Sequence, residues 1–170
     1  MLGESLELFA GAGGLGIGLS AAGFKPRAVV EFNKWCCDTL RQNHATLSKD
    51  GGDWNVIEGD VRKVDFNIYE GIDLISGGPP CQPFSLGGRH RAYDDARDMF
   101  PQAVRAVREA RPRAFIFENV KGLTRASFHD YFTYVQLQLE HPELVARQEE
   151  AWQEHLCRLQ QHHTSKSRPG

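Results

Sequence analysis

Short apolar runs alternate with helical segments along most of this chain, and this alternation constrains its fold more than any other feature. The spacing of apolar residues predicts helices over residues 15–22, 34–43 and 100–110. The predicted strands are residues 6–9, 28–30, 55–58, 73–76 and 114–117. Strands that alternate with helices in this way form βαβ units, so the sequence predicts an α/β fold with a parallel sheet.

A glycine-rich loop follows the first predicted strand. Gly11, Gly13 and Gly16 stand between a strand and a helix, where glycines permit a tight turn and a close approach of ligand to backbone. Glu31 ends the second strand, where its carboxylate can take both hydroxyls of a ribose, and Asp60 after the third can accept from an adenine amino group. The pattern indicates a ligand site, with a structural turn as the alternative. Glycines alone do not distinguish a dinucleotide from S-adenosylmethionine.

A single cysteine stands in a stiff turn after the fourth predicted strand. The run Pro79-Pro80-Cys81-Gln82 follows a Gly-Gly pair directly. Proline cannot continue a strand ladder and glycine permits unusual backbone angles, so the cysteine is presented on a sharply turned loop. A free cysteine is most often a small buried apolar residue. Because cores seldom need such a turn, this context favours a nucleophile.

An acid also ends the fifth predicted strand. Glu118 lies beside Asn119 there, and near an apolar pocket such an acid would hold a proton at neutral pH. Ligands of parallel sheets bind outside the carboxyl ends of the strands. The glycine loop, Glu31, Asp60, Cys81 and Glu118 all follow strands, so we expect them to form one site. The charged run 89–98 is either a solvated loop or a mobile lid with phosphate contacts.

Composition fits one soluble domain of 170 residues, with 41% hydrophobic and 25% charged residues. No apolar run spans a membrane, no signal peptide is apparent, and four scattered cysteines indicate a reducing, intracellular location. The net charge of −2 is unlike that of a self-sufficient nucleic-acid binder. Cys157 and the nearby histidines match no usual zinc spacing, so we expect no metal site.

The motifs together resemble the N-terminal part of C5-type cytosine-specific DNA methyltransferases, over roughly residues 5–125. The resemblance is carried by residues 6–14, Glu31, Asp60, residues 77–85, residues 95–100 and residues 118–120. Pro-Cys-Gln followed by Glu-Asn-Val behind a glycine loop is highly specific. The resemblance implies a Rossmann-like S-adenosylmethionine-dependent methyltransferase fold, with helices on both faces of the sheet and incomplete at its C-terminal end. It also implies DNA methylation of the restriction-modification kind.

By this resemblance the Cys81 thiolate adds to C6 of a cytosine flipped out of double-stranded DNA, and Glu118 bonds the ring at N3 and the amino group. Phe9 and Phe32 border the adenine of S-adenosylmethionine. The implied cofactor residues are Phe9, Ala10, Gly11, Gly13, Gly14, Leu15, Glu31, Phe32, Asp60, Val61 and Pro80. The implied DNA-contacting residues are Gln82, Ser85, Arg89, Arg91, Arg97 and Asn119.

The chain departs from the family because it contains no Gln-x-Arg-x-Arg strand and no visible target-recognition region. We therefore expect either one subunit of a split enzyme, with a second subunit that recognises DNA, or a truncated fragment that at most binds S-adenosylmethionine. An RNA cytosine-5 methyltransferase is a third alternative. We predict a partial catalytic domain over residues 1–125, a helical extension over 126–163, a disordered tail over 164–170, and a cytoplasmic, nucleoid-associated location if the chain is prokaryotic.

Overall fold

A computed structural model describes residues 2–47, 54–80 and 98–166. It contains a five-stranded sheet, parallel throughout, with strand order β3-β2-β1-β4-β5. The strands are β1 (Gly3–Leu8), β2 (Phe24–Glu31), β3 (Val56–Glu58), β4 (Leu74–Gly77) and β5 (Ala114–Phe117). Each predicted strand is present, so the predicted parallel α/β sheet is confirmed.

The helices of the described residues follow the strands in the predicted alternation. They are α1 (Gly14–Ala21), α2 (Lys34–Leu47), α3 (Phe100–Ala110), α4 (His129–Glu140) and α5 (Trp152–Lys166). Short 3-10 turns lie at Val61–Lys63, Phe66–Tyr69, Lys121–Thr124 and Ala126–Phe128. Among these helices none is long and apolar enough to cross a lipid bilayer.

The middle of the sheet is buried on both of its faces. Val29 and Val30 are consecutive in β2, so their side chains point to opposite faces, yet they are 0% and 1% exposed. Leu6 and Leu8 of β1 and Ile75 of β4 are likewise fully buried. Parallel strands covered on both faces read as continuous apolar runs, which is why the sequence pattern located them.

Two compact units make up the chain. One consists of Met1–Pro80 with Glu109–Asn119 and contains all five strands. The other consists of Cys81–Arg108 with Val120–Gly170, and it contains α4 and α5. The units therefore divide the chain at residues 80, 108 and 119, whereas the sequence analysis places its one domain boundary at residue 125.

The second unit has an apolar and aromatic core, which includes Tyr134, 1% exposed, and Leu159, 0% exposed. His155 is buried beside Tyr134, and its Nε2 lies 2.8 Å from the carbonyl oxygen of Leu144. Since a carbonyl only accepts, Nε2–H donates there and Nδ1 accepts from the Tyr134 hydroxyl at 2.9 Å. Burial lowers the pKa of His155, consistent with this neutral form.

Helix α5 differs at both ends from the helix that the charged pattern predicts over residues 143–163. The charged pattern from residue 143 suggests a helix, but α5 begins only at Trp152. In the preceding segment Arg158 donates to Val145 O and to the carboxylate of Glu150, while Glu150 accepts from Arg147 N. Side chains thus satisfy this backbone outside a helix. At the other end α5 runs to Lys166, three residues into the predicted tail.

Candidate active site

The strand order places a topological switch point between β1 and β4. β2 and β3 lie on one side of β1, and β4 and β5 lie on the other. In open parallel sheets a crevice forms there at the carboxyl ends of the strands, because the loops leave in opposite directions. The loops after β1 and β4 are those that carry the glycine motif and the Pro79-Pro80 pair.

The loop after β1 turns sharply through left-handed backbone. Phe9, Gly11 and Gly13 have φ angles of 56°, 55° and 87°. A non-glycine residue in this region costs on the order of 1 kcal/mol or more, so the surrounding structure holds Phe9 there. Gly13 caps α1, and a Cβ on it would lie 2.5 Å from Leu40 Cδ2. The loop therefore requires glycine at position 13 for both its angle and its packing.

Hydrogen bonds tie this loop to its neighbours. Ala10 N donates to Val30 O at 3.3 Å, and Gly13 N donates to Ala10 O at 2.9 Å. Helix α1 starts at Gly14, and the N–H groups of Gly14 and Leu15 belong to its first turn, which has no acceptors within the helix. The arrangement leaves backbone donors and a positive helix end at the crevice.

Glu31 fixes the geometry beside the glycine loop. Its Oε2 accepts from Gly11 N at 2.8 Å and its Oε1 accepts from Asn33 N at 2.7 Å. The carboxylate thus joins the loop after β1 to the start of α2. A carboxylate oxygen can accept two hydrogen bonds, so each oxygen keeps capacity for a ligand hydroxyl. Next to it the Phe32 ring is 76% exposed, which leaves an aromatic face open for stacking.

The end of β3 lies against the end of β2, the strand that carries Glu31. Gly59 N donates to Glu31 O at 2.9 Å, which places Asp60 immediately after this contact. Asp60 caps the following 3-10 turn, with its Oδ1 accepting from Arg62 N at 3.0 Å. Val61 in that turn is buried. Asp60 therefore has a capping role whether or not a ligand also uses its carboxylate.

Two hydrogen bonds join the end of β4 and the residues after it to the residues after β5. Glu118 N donates to Gly77 O at 3.0 Å, and Asn119 Nδ2 donates to Pro79 O at 2.8 Å. A Cβ on Gly78 would overlap Glu118 Oε1, so a side chain at this position would displace the Glu118 carboxylate. Glu118 is exposed in the described part of the chain.

Six predicted site residues, including the predicted nucleophile, lie outside the described ranges. Pro80, the last residue before that gap, is exposed. The predicted residues outside the described ranges are Cys81, Gln82, Ser85, Arg89, Arg91 and Arg97.

Glu7 is a site-forming residue that the sequence analysis missed. It is 2% exposed in the middle of β1, and its Oε1 accepts from Gly16 N at 3.1 Å in the first turn of α1. Its Oε2 is buried without a hydrogen-bond partner among the described residues. Burial raises the pKa of Glu7 to about 7, and the hydrogen bond from Gly16 opposes that shift. An acid between the two buried leucines of β1, Leu6 and Leu8, is the sequence signal that could have identified it.

Comparison with known proteins identifies the family of this chain. The family model of C-5 cytosine-specific DNA methylases matches residues 3–141. Type II methyltransferase M.NgoMIV of Neisseria gonorrhoeae is 47% identical over 131 residues, which are 77% of this chain and 40% of that protein. Type II methyltransferase M.PspPI of Psychrobacter sp. is 47% identical over 120 residues, which are 69% of this chain and 27% of that protein.

A solved structure shares the fold. The chain superimposes on a DNA modification methyltransferase encoded within an Escherichia coli prophage with a TM-score of 0.54 and 27% identity, covering 78% of this chain and 37% of that one. The chain spans less than half the length of each of these relatives. The family match covers most of the sequence, and the chain belongs to the C-5 cytosine-specific DNA methylase family.

Proposed function

We propose that this chain supplies the cofactor site and the nucleophile of a DNA (cytosine-5)-methyltransferase that uses S-adenosylmethionine. The observation that carries the proposal is that the Gly11–Gly13 loop, Glu31 and Glu118 all follow the carboxyl ends of strands in one parallel sheet, with Glu31 bonded directly to the loop. Family membership supports the same activity. When bound, S-adenosylmethionine supplies an electrophilic methyl group.

The cofactor residues fit the proposed ligand on structural grounds. Gly13 lies where a side chain would collide with Leu40, and the first-turn N–H groups of Gly14 and Leu15 suit a carboxylate. Glu31 would accept from both ribose hydroxyls with its remaining acceptor capacity, and the exposed ring of Phe32 would stack on adenine. We assign the remaining cofactor contacts to Phe9, Ala10, Gly11, Asp60, Val61 and Pro80.

For the chemistry we assign the nucleophile to Cys81 and the ring-binding acid to Glu118. The Cys81 thiolate forms a bond to C6 of cytosine, which moves electron density to C5, the atom that is methylated. Glu118 holds N3 and the amino group while the bond exists. Once C5 has accepted the methyl group and S-adenosylhomocysteine has been released, a base would remove the C5 proton. The bond between C6 and the Cys81 sulfur would then break and return the thiolate. Asn119 would hold Pro79 and so position the start of the nucleophile loop.

We further propose that a complementary polypeptide carries target recognition and pairs with β5. Ala114, Phe115 and Ile116 are exposed, with Phe115 at 39% and Ile116 at 48%, although the strand is apolar. An exposed apolar edge strand is a site for pairing with another chain. The net charge of −2 leaves few positive charges for phosphates, which such a partner would provide.

The test is transfer of labelled methyl from S-adenosylmethionine to mixed-sequence double-stranded DNA, with cofactor binding by calorimetry on the same sample. We expect cofactor binding in both the native chain and Cys81→Ser, and transfer only in the native chain, alone or with its complementary polypeptide. A folded chain that does not bind the cofactor, or transfer that survives Cys81→Ser, would refute the assignment. Label in RNA but not in DNA would reassign the substrate.

A further inference from the structure

Three histidines and two glutamates gather where the chain leaves α4 and where α5 passes. The cluster contains Glu140, His141, Glu143, His162 and His163. Two groups of three can be drawn in it, and both share His141. We propose that His141, His162 and Glu143 form a binding site for a divalent transition-metal ion, with Zn²⁺ the best match to two imidazoles and one carboxylate. This site is independent of the methyltransferase activity proposed above.

The three ligand atoms already lie near the separation that a metal requires. His162 Nε2 is 3.9 Å and His141 Nδ1 is 4.0 Å from the same oxygen, Glu143 Oε1. All three atoms lie within 4.8 Å of one another. Bonds of about 2.0–2.1 Å in a tetrahedral zinc site place ligand atoms roughly 3.3 Å apart. Small side-chain rotations therefore bring the three atoms onto one ion.

The hydrogen bonds in the cluster leave one ligand nitrogen of this triad unsatisfied, and a metal ion would satisfy it. His162 Nε2 is buried and has no hydrogen-bond partner among the described residues. A buried polar atom without a partner is destabilising, and a metal ion would use its lone pair. His141 is 6% exposed, and its Nε2 lies 3.2 Å from His163 Nδ1. A ligating imidazole usually engages its second nitrogen in this way, which leaves Nδ1 for the metal.

In the other triad the nitrogen of His163 is already engaged. When His141 Nε2–H donates, His163 Nδ1 accepts at 3.2 Å and has no lone pair left for a metal ion. One further charge faces the proposed site, because Lys166 Nζ is 3.5 Å from Glu143 Oε1. A metal ion would compete with this ammonium group for the carboxylate. Removal of the Lys166 charge should therefore strengthen metal binding.

The location separates this site from the family's catalytic machinery. The family match ends at residue 141, so Glu143 and His162 lie beyond it. His141 and Glu143 stand in the segment after α4, whereas His162 is in the second half of α5. An ion held by these three residues would cross-link that segment to α5 within the second unit.

The experiment is calorimetric titration of the untagged full chain with ZnCl₂, with Co²⁺ absorption as a second probe. We expect one equivalent to bind saturably, His162→Ala to weaken binding at least about tenfold, and Lys166→Gln to tighten it. Glu143→Gln provides a second loss variant, since that side chain is 56% exposed and tolerates an isosteric change. His129→Ala removes an exposed histidine outside the cluster and should bind like the native chain.

Two results would overturn the proposal. Either no saturable binding occurs in the folded chain, or binding is unchanged in both His162→Ala and Glu143→Gln. Retention in those variants together with loss in Cys157→Ser would place the ion on a thiol, and loss only in His163→Ala would place it on the other triad. Circular dichroism of each variant establishes that an observed loss is not unfolding.

Discussion

The buried carboxyl of Glu7 makes the stability of the first unit depend on pH. Burial raises the pKa of Glu7 from 4.5 to about 7 in the folded chain. Between these values the folded chain keeps the proton that the unfolded chain has lost. The free energy of unfolding therefore falls as pH rises from about 4.5 through 7, and above that range this residue adds no further slope.

The size of the effect follows from the shift. Since one pKa unit corresponds to about 1.4 kcal/mol, the full destabilisation is about 3.5 kcal/mol, of which about 2.5 kcal/mol develops between pH 5 and pH 8. Glu7 is 2% exposed, so solvent screening does not reduce this figure much. A change of this size is a large fraction of the stability of a typical domain.

The assay is urea unfolding at pH 5, 6, 7 and 8 of the native chain and of Glu7→Gln. The amide keeps an acceptor for Gly16 N but does not titrate, so we expect the native chain to lose about 2.5 kcal/mol relative to the variant across this range. Glu154→Gln, which changes an exposed acid in the first turn of α5, should retain the native slope. Parallel slopes for the native chain and Glu7→Gln would refute the reasoning.

Two further variants test the proposed site. Glu31→Ala should weaken S-adenosylmethionine binding by about 1.5–3 kcal/mol in calorimetry, because it removes charged hydrogen-bond acceptors. Glu58→Ala, which changes the residue paired with Glu31 on β3, should leave the affinity unchanged. Equal affinities in all three proteins would exclude Glu31 from the site. Gly78→Ala should lower methyl transfer at least about tenfold with cofactor affinity retained, because its Cβ displaces Glu118, whereas Gly18→Ala meets no atoms and should transfer normally. Unchanged transfer in Gly78→Ala would contradict the proposed role of Glu118.

The sequence predicted the sheet because the middle strands are short, mostly apolar runs that alternate with helical segments. It placed the start of β2 late, since Lys25 and Pro26 are poor strand residues and only their pairing with Glu4 and Ser5 of β1 extends the strand. The burial of Glu7 was not predictable in the same way. The Glu7 carboxyl occupies the space that a Cβ on residue 16 would fill. Its burial therefore depends on a glycine nine residues further along the chain.

The proposed metal site lies beyond what sequence patterns report. His141 and His162 are 21 residues apart and fall into no zinc-binding spacing, so the sequence predicted no metal site. The end of α4 and the path of α5 bring them together, because residues 143–151 form a non-helical connection that returns the chain to α4. A ligand set built from two elements is visible only after their packing is known.

The strand β5 shows why an apolar pattern does not by itself specify burial. Residues 115–117 resemble the buried run 28–30 in composition, yet Ile116 is 48% exposed whereas Val29 is 0% exposed. An apolar strand is stabilised when other residues bury its side chains, and those residues can belong to another polypeptide. Phe115 and Phe117 stack with ring centroids 5.7 Å apart, which presents a preformed aromatic surface on this edge strand. β5 pairs with β4 along one edge and exposes apolar side chains. A complementary methyltransferase polypeptide would add a strand along its other edge.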